Sequence, residues 1–431
     1  MHKFDIDLKN ISKIEGHTHL EAKVRGGKVQ SCKLKITEGK RFFREAVIGK
    51  SYKTVGQTMS RICGTCSSAH ALGSIEAVEK ALGIKVSRQT ILLRNLLSNA
   101  GHLRDHAMHL YFFCLPDILG FDSVLDFDEN NKEQHELIHD ALDVKEAGNV
   151  LCAIVGGRAV HPPNAVVGGF SKFPKKKDLL KAKEKLEECR DKIIKIIDVF
   201  HKRDEKFNRK INYAGLINKD YNFLEGKIKT SEGVIIGEKD YDKHLQEVVL
   251  PYSSAEGAKW KGKDFMVGAL ARINVNKESL HKKTQKDVKE YLKEFPSDNI
   301  FHNNLAQAIE CLHIIDSSID MIDKVKDSKK EKPAEPKIED KDYEGVGVVE
   351  APRGTLYYKI KIDGRGIVTD CDLCIPTQQN IIHMEKGIAK YIESMLDEKS
   401  KNEISMGVEK MIRAYDPCMS CATHFLKIDW I

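Results

Sequence analysis

Two cysteine pairs of identical spacing stand at opposite ends of the chain, in RICGTCSSAH at 61–70 and DPCMSCATH at 416–424. Thiols so far apart can share a site only if the fold carries both ends of the chain into a common interior. Each pair stands where a helix is expected to begin. The first precedes SSAHALGSIEAVEKALG, which has helical apolar periodicity, and Gly64 lets the backbone approach closely. In the second, Asp416 is a good N-cap and Pro417 a good first helical residue, which would put Cys418 and Cys421 on one face of an opening turn. A helix N-terminus favours thiolate, the ligating form, so four such groups converging make a soft metal site. Four cysteines are also a common structural zinc set, and zinc stays open on the residues alone. Zinc knuckles, however, bring their second pair within about 15–20 residues, whereas roughly 350 separate these two. That separation suits a buried site assembled by a large fold, where four thiolates hold nickel or iron as well as zinc.

Composition narrows the class. The chain has 431 residues, 41% of them apolar, enough for a large core. Seventy Lys plus Arg against sixty-four Asp plus Glu leave a net charge of +6, which makes no case for nucleic acid. No run approaches the roughly 18 apolar residues of a membrane span, so neither secretion nor direct membrane insertion is expected. The eleven cysteines are scattered and odd in number, which fits reduced thiols or metal ligands in the cytoplasm better than disulfides. Cys371 and Cys374 lie in an extended pattern where residues three apart face opposite ways, and they are read as core cysteines. His102, His106 and His109 share one face of a long helix, with Asp105 on another face. They are read as interior, hydrogen-bonded histidines.

Along the chain, residues 19–36 alternate about a Gly-Gly turn and read as a β-hairpin. Helical periodicity follows at 88–115, 131–154, 177–208, 280–295 and 299–325, while 209–279 shows no clear period. Residues 326–343 are charged and without apolar period, an exposed loop. A second hairpin is expected over 355–376, turning at Asp363 to Gly366, and C-terminal helices from 380 lead into the second cysteine pair. GVGVVEAPRG at 345–354 lacks the third glycine and the following helix of a dinucleotide fingerprint. The expectation is one domain spanning 1–431, mainly α with small antiparallel β-sheets (α+β), with a helical core over 64–325.

The two cysteine signatures, together with KIEGH at 13–17, HPPNAVVGG at 161–169, EAPRG at 350–354 and IPTQQN at 375–380 in that order, resemble the large, catalytic subunit of nickel-iron hydrogenases over almost the whole chain. The resemblance implies a long helix bundle around a buried metal site and reversible heterolytic cleavage of H2 to protons and electrons. It implies Cys63 and Cys418 as terminal ligands of nickel, and Cys66 and Cys421 as bridges to an iron carrying carbon monoxide and cyanide. Arg353 matches the arginine over the open coordination position and Asp117 the carboxylate that holds it. Cys418 would be the first base, and Glu15 would take the proton from it. Thr377 resembles the hydroxyl that bonds a cyanide, with Pro376 and His70 lining the cofactor. Glu45, the backbone carbonyl of Leu373 and His424 resemble ligands of a distal Mg2+ or Fe2+. Tyr358 departs from the histidine of many relatives, and the tail after His424, FLKIDWI, is what an endopeptidase usually removes.

The remaining cysteines show no ferredoxin-like spacing, so iron-sulfur clusters are expected only in a partner small subunit. The length, the lack of export features and the short tail resemble the cytoplasmic, cofactor-coupled, sulfhydrogenase-like branch, with NAD(P) as acceptor. Deazaflavin-reducing and heterodisulfide-reductase-linked enzymes are the alternatives. From another class, a non-catalytic assembly protein with a four-cysteine zinc site also fits the thiols.

Overall fold

The computed structural model describes residues 3–203 and 205–423. It is mainly α with small antiparallel sheets, as expected. The Arg88–Ala107 helix packs against Lys132–Gly156 and His302–Val325, and Lys176–His201 closes the group against both of those. Local chemistry sets the starts: Ser87 Oγ accepts from Thr90 N–H, and Asn131 Oδ1 accepts from the N–H groups of Glu133 and Gln134. The expected helix over 88–115 does not run through unbroken. A seven-residue π-helical stretch, Met108–Cys114, interrupts it before the short Leu115–Leu119 helix. The helix expected at 280–295 shrinks to Lys282–Asp287 and a 3-10 turn at Tyr291–Glu294, and the one expected to reach 208 stops at His201. No helix among the described residues is long and apolar enough to cross a membrane.

The N-terminal hairpin forms from Thr18–Arg25 and Lys28–Ile36, and a further strand, Lys3–Leu8, pairs with it. The second sheet is likewise three-stranded. Tyr343–Ala351 pairs with Gly354–Ile362, which pairs with Val368–Cys374. The first of these strands carries GVGVVEA, whose glycines give no strand signal. Their reason is packing. A Cβ at Gly345 would come within 2.2 Å of Ala77 O, and one at Gly347 within 2.3 Å of Gly73 O, so the strand lies directly on the Ser67–Leu82 helix. Gly347→Ala is expected to force that helix away and to destabilise the protein by at least about 1–3 kcal/mol, seen as a lower melting temperature. Cys371 falls in the main core and Cys374 in a smaller cluster with Tyr357 and Trp260, on opposite faces of their strand as read from the sequence.

The aperiodic region over 209–279 folds as short strands, Ala214–Ile217, Lys227–Thr230 and Ile235–Ile236, a ribbon of Leu245–Val248 with Gly257–Trp260, and the Ala269–Asn276 helix. The charged segment that follows the His302–Val325 helix carries no regular structure up to Asp342, although Ala334 N–H bonds to Gly168 O at 2.9 Å.

Candidate metal centre

The first cysteine pair is built as its pattern suggests. Cys63 is extended (φ −148°, ψ 146°) and Cys66 is the N-cap of the Ser67–Leu82 helix. The second pair is not. Asp416 takes a positive φ of 50° and no α-helix follows among the described residues; only a 3-10 turn, Cys421–Thr423, is formed. A capping carboxylate must turn back on its own backbone, and here a buried cation draws it away instead. Asp416 Oδ1 lies 2.9 Å from Arg353 Nη2, and Oδ2 accepts from Gln307 Nε2 at 2.8 Å.

The C-terminal loop is fastened by residues from far upstream. Glu15 and Cys418 form a parallel bridge, Met419 N–H donates to Glu15 O at 2.9 Å, and Ser420 N–H donates to Glu15 Oε2 at 3.0 Å. Gly16 sits at φ +81°, where a Cβ would meet that of Met419 at 2.8 Å. Arg41 N–H donates to Thr423 O at 2.9 Å, and its guanidinium donates to Ser420 O. Cys418 N–H donates to Thr377 Oγ1 at 2.9 Å, on the first turn of the Pro376–Met395 helix that Pro376 opens.

These attachments bring the four sulfurs together. Sγ atoms of Cys63, Cys66, Cys418 and Cys421 all lie within 4.8 Å of one another and all four residues are buried. Cys63 and Cys418 approach to 3.5 Å and Cys66 and Cys421 to 3.2 Å, well beyond a disulfide bond, and all eleven cysteines are free. Burial pushes the Cys418 and Cys421 thiols up, while hydrogen bonds from the neighbouring thiols, Cys418 first, hold Cys63 well below its ordinary value. Four buried sulfurs at these separations are a soft donor set that fits nickel with iron.

Around the sulfurs the charges are arranged in pairs. Cys418 Sγ donates to Glu15 Oε2 at 3.0 Å. Arg353 is buried, with Nη1 on Asp105 Oδ2 at 2.7 Å as well as Nη2 on Asp416. Burial pushes Asp416 up, but Arg353, with His109 and His106, more than offsets it and leaves the carboxyl below the usual range. Asp117 does not hold Arg353, contrary to the resemblance: its carboxylate takes Lys13 Nζ at 2.6 Å and Arg413 Nη2 at 3.1 Å. Asp105 and Asp117 lie twelve residues apart, which is not a repeat of the helical turn, and the π-helical stretch Met108–Cys114 lies between them. The true partners both carry a signal in the sequence, Asp416 in the DPC signature and Asp105 on a different helix face from the one the histidines use.

His70 Nε2 lies 3.5 Å from Cys421 Sγ, and its Nδ1 lies 2.7 Å from the Tyr358 hydroxyl. Burial holds its pKa down to about 4, so the ring is neutral at physiological pH and bridges Tyr358 and the sulfur. The long-helix histidines are interior, as read from their pattern. His102 stacks on Phe223 with centroids 3.9 Å apart, His106 meets Glu310 at 2.9 Å, and His109 faces Gln307 Oε1 at 2.6 Å and Arg413 O at 2.7 Å. Nothing in the sequence singles out Arg272, only 2% exposed, which grips Glu310 Oε1 at 2.6 Å, Glu350 Oε2 at 2.9 Å and the carbonyls of Ala351 and Pro352 at 3.0 Å. It thereby fixes the backbone immediately before Arg353.

The distal cation fares differently. The Leu373 carbonyl accepts from Arg44 Nη2 at 2.8 Å, and Glu45 is half-buried on the same short Phe43–Val47 helix. A divalent ion on that oxygen would sit roughly 4 Å from the guanidinium and be repelled by about 8 kcal/mol at an effective dielectric of about 20. These residues do not fit the expected ion, and His424 lies outside the described residues.

The family model described as nickel-dependent hydrogenase matches residues 41–138 and 218–424. The chain is similar to the alpha chain of sulfhydrogenase 1 of Pyrococcus furiosus, 34% identical over 428 residues that cover 98% of each chain. It is 31% identical to the vhc F420-non-reducing hydrogenase chain of Methanococcus voltae, over 97% of this chain and 94% of that one. In fold it matches the NAD+-reducing NiFe-hydrogenase in the H2-reduced state, with a TM-score of 0.87 at 23% identity, covering 98% of this chain and 99% of that chain.

Proposed function

The chain belongs to the nickel-dependent hydrogenase family as a catalytic large subunit, an oxidoreductase acting on H2, and we propose accordingly that Cys63, Cys66, Cys418 and Cys421 hold a nickel-iron centre at which H2 is cleaved to protons and electrons. The observation that carries this reading is the convergence of four buried sulfurs from both ends of the chain within 4.8 Å. A nickel-iron centre bound there supplies the Lewis acidity and the redox couple that polarise H2 and take up its electrons.

The protein's own groups manage the proton. Cys418 Sγ receives it, and Glu15 Oε2, 3.0 Å away, takes it on toward the surface. Ser420 N–H holds the Glu15 oxygen in line, and Thr377 Oγ1 holds the Cys418 backbone. Arg353, fixed between Asp105 and Asp416, sets a permanent positive charge beside the sulfurs and does not itself give up a proton. His70 places Nε2 3.5 Å from the Cys421 sulfur. The burial of all four cysteines keeps bulk water from the reacting atoms. Glu15→Gln is expected to keep its nickel and to lose on the order of 10²–10⁴-fold in H2 oxidation, because an amide cannot accept the proton. Turnover at the wild-type rate would assign the relay to another group.

Electrons leave, in this reading, through a small iron-sulfur subunit to a soluble acceptor, NAD(P), in the cytoplasm. The similarity to a sulfhydrogenase alpha chain supports the presence of further subunits, and eleven free cysteines suit a reducing compartment. The test is purification of the native assembly. Equimolar nickel, at least one iron per large chain, infrared bands of bound carbon monoxide and cyanide, and NAD(P)+ reduction under H2 are expected. Zinc alone at the cysteines would overturn the centre, and reduction of a deazaflavin in place of NAD(P)+ would overturn the acceptor.

A further inference from the structure

The oxygen atoms around Leu373 surround a guanidinium, and we propose that Arg44 replaces the distal divalent cation in this protein and organises the metal-centre loop in its stead. Arg44 is 8% exposed. Its Nη2 donates to Leu373 O at 2.8 Å and lies 2.7 Å from Asp372 Oδ1 and 3.3 Å from Glu247 Oε1. A backbone carbonyl and two carboxylates from different segments are the hard oxygen donors that Mg2+ takes elsewhere. Here one end of a guanidinium, Nη2, faces all three, and its charge does not depend on pH or on metal supply.

The position matters because of what Leu373 leads to. Three segments meet at Arg44: the Phe43–Val47 helix, the end of the Val368–Cys374 strand and the Leu245–Val248 strand. Glu247 also accepts from Gln378 Nε2 at 3.2 Å, and Ile375 N–H donates to Gln378 Oε1 at 3.2 Å. The corner at 373–378 is thereby locked from both sides, and Thr377 within it receives the Cys418 N–H. Arg41, on the same upstream segment, holds Ser420 and Thr423. Two arginines from one short stretch therefore cross-link the sheet corner and the cysteine loop. Arg44 acts through Leu373 and is a positioning residue.

The inference rests on the family assignment but not on the identity of the metals at the cysteines, and its test reads the two separately. The assembled enzyme is dialysed against EDTA, then measured for magnesium, manganese and nickel and for melting temperature. The wild type is expected to hold no stoichiometric magnesium or manganese, and its melting temperature is expected not to move with EDTA. Arg44→Glu frees the Leu373 carbonyl and adds a carboxylate. It is expected to acquire one divalent ion per chain when supplied with Mg2+ and to become EDTA-sensitive. A crystal structure of the wild-type assembly, with anomalous data at the iron edge, decides the matter even if that variant does not fold. Guanidinium density on the Leu373 oxygen supports the replacement. A Mg2+, Mn2+ or Fe2+ bonded to that oxygen overturns it. Nickel content, read in the same sample, reports on the main centre independently.

Discussion

Replacing Cys418 with serine is expected to reduce H2 oxidation by the assembled enzyme to background. Loss of a group that merely supports a metal ligand typically costs about 10–100-fold, and this change removes the ligand itself together with the proton acceptor. A serine oxygen is hard and stays protonated, so it neither ligates nickel well nor passes a proton to Glu15 from the position the sulfur held, 3.0 Å from the carboxylate. The backbone around it should survive, because Thr377 holds the N–H and not the side chain. Cys371→Ser is the control. That cysteine is 4% exposed in the core, away from the four-sulfur cluster, and its loss should lower stability while leaving turnover in place. Wild-type turnover in the Cys418 variant would remove the proposed ligand and base together.

Arg272→Met is expected to cost about 3–5 kcal/mol of stability at neutral pH, because it strands two buried carboxylates. Glu310 and Glu350 are 0% and 1% exposed, and the guanidinium bonds to both. The pH dependence distinguishes this cause from a simple packing defect. Burial pushes Glu310 up, but the charge and hydrogen bonds of Arg272, with His106 behind them, leave its carboxyl well below the ordinary 4.5. A depressed folded-state pKa contributes stability that is fully present above the unfolded value and is lost as pH falls through the folded one. In the variant the same carboxyl is buried without its cation, so its pKa should rise above the unfolded value and the sign should reverse. The stability gap between wild type and variant is therefore expected to be widest near about pH 7 and to narrow below about pH 4.5. Thermal unfolding at the two pH values checks it. A gap of constant size would reassign the loss to cavity formation. Arg272 also holds the carbonyls of Ala351 and Pro352, so activity should fall further than the stability loss explains.

Strong local patterns can be read directly from neighbouring residues. The apolar period of Ser67–Leu82, Lys132–Gly156 and His302–Val325, the Gly-Gly turn of the first hairpin and the opposite faces of Cys371 and Cys374 are all of this kind. Where such patterns mislead, a distant partner intervenes. The Tyr343–Ala351 strand is glycine-rich because a helix lies on it, and nothing within the strand announces that helix. Asp416 has the identity and the following proline of an N-cap, yet Arg353, remote in sequence, takes its carboxylate. Asp105 and Asp117 are both carboxylates on the same stretch of chain, and only the segments packed against them decide that Arg353 meets the first while Lys13 and Arg413 meet the second.

The order of residues alone was enough to single out the four sulfurs that the fold brings together. Two short motifs carry thiols at a spacing suited to chelation, and long amphipathic helices are there to bury them. Which charge meets which is a property of the assembled molecule. Whether Arg353 is held by Asp105 or Asp117, and whether the Leu373 carbonyl meets an ion or Arg44, depends on angstrom-scale distances between segments remote from one another in the chain. In a low-dielectric interior those distances set the pairing, because an unpaired buried charge is too costly to leave, and no local pattern encodes them.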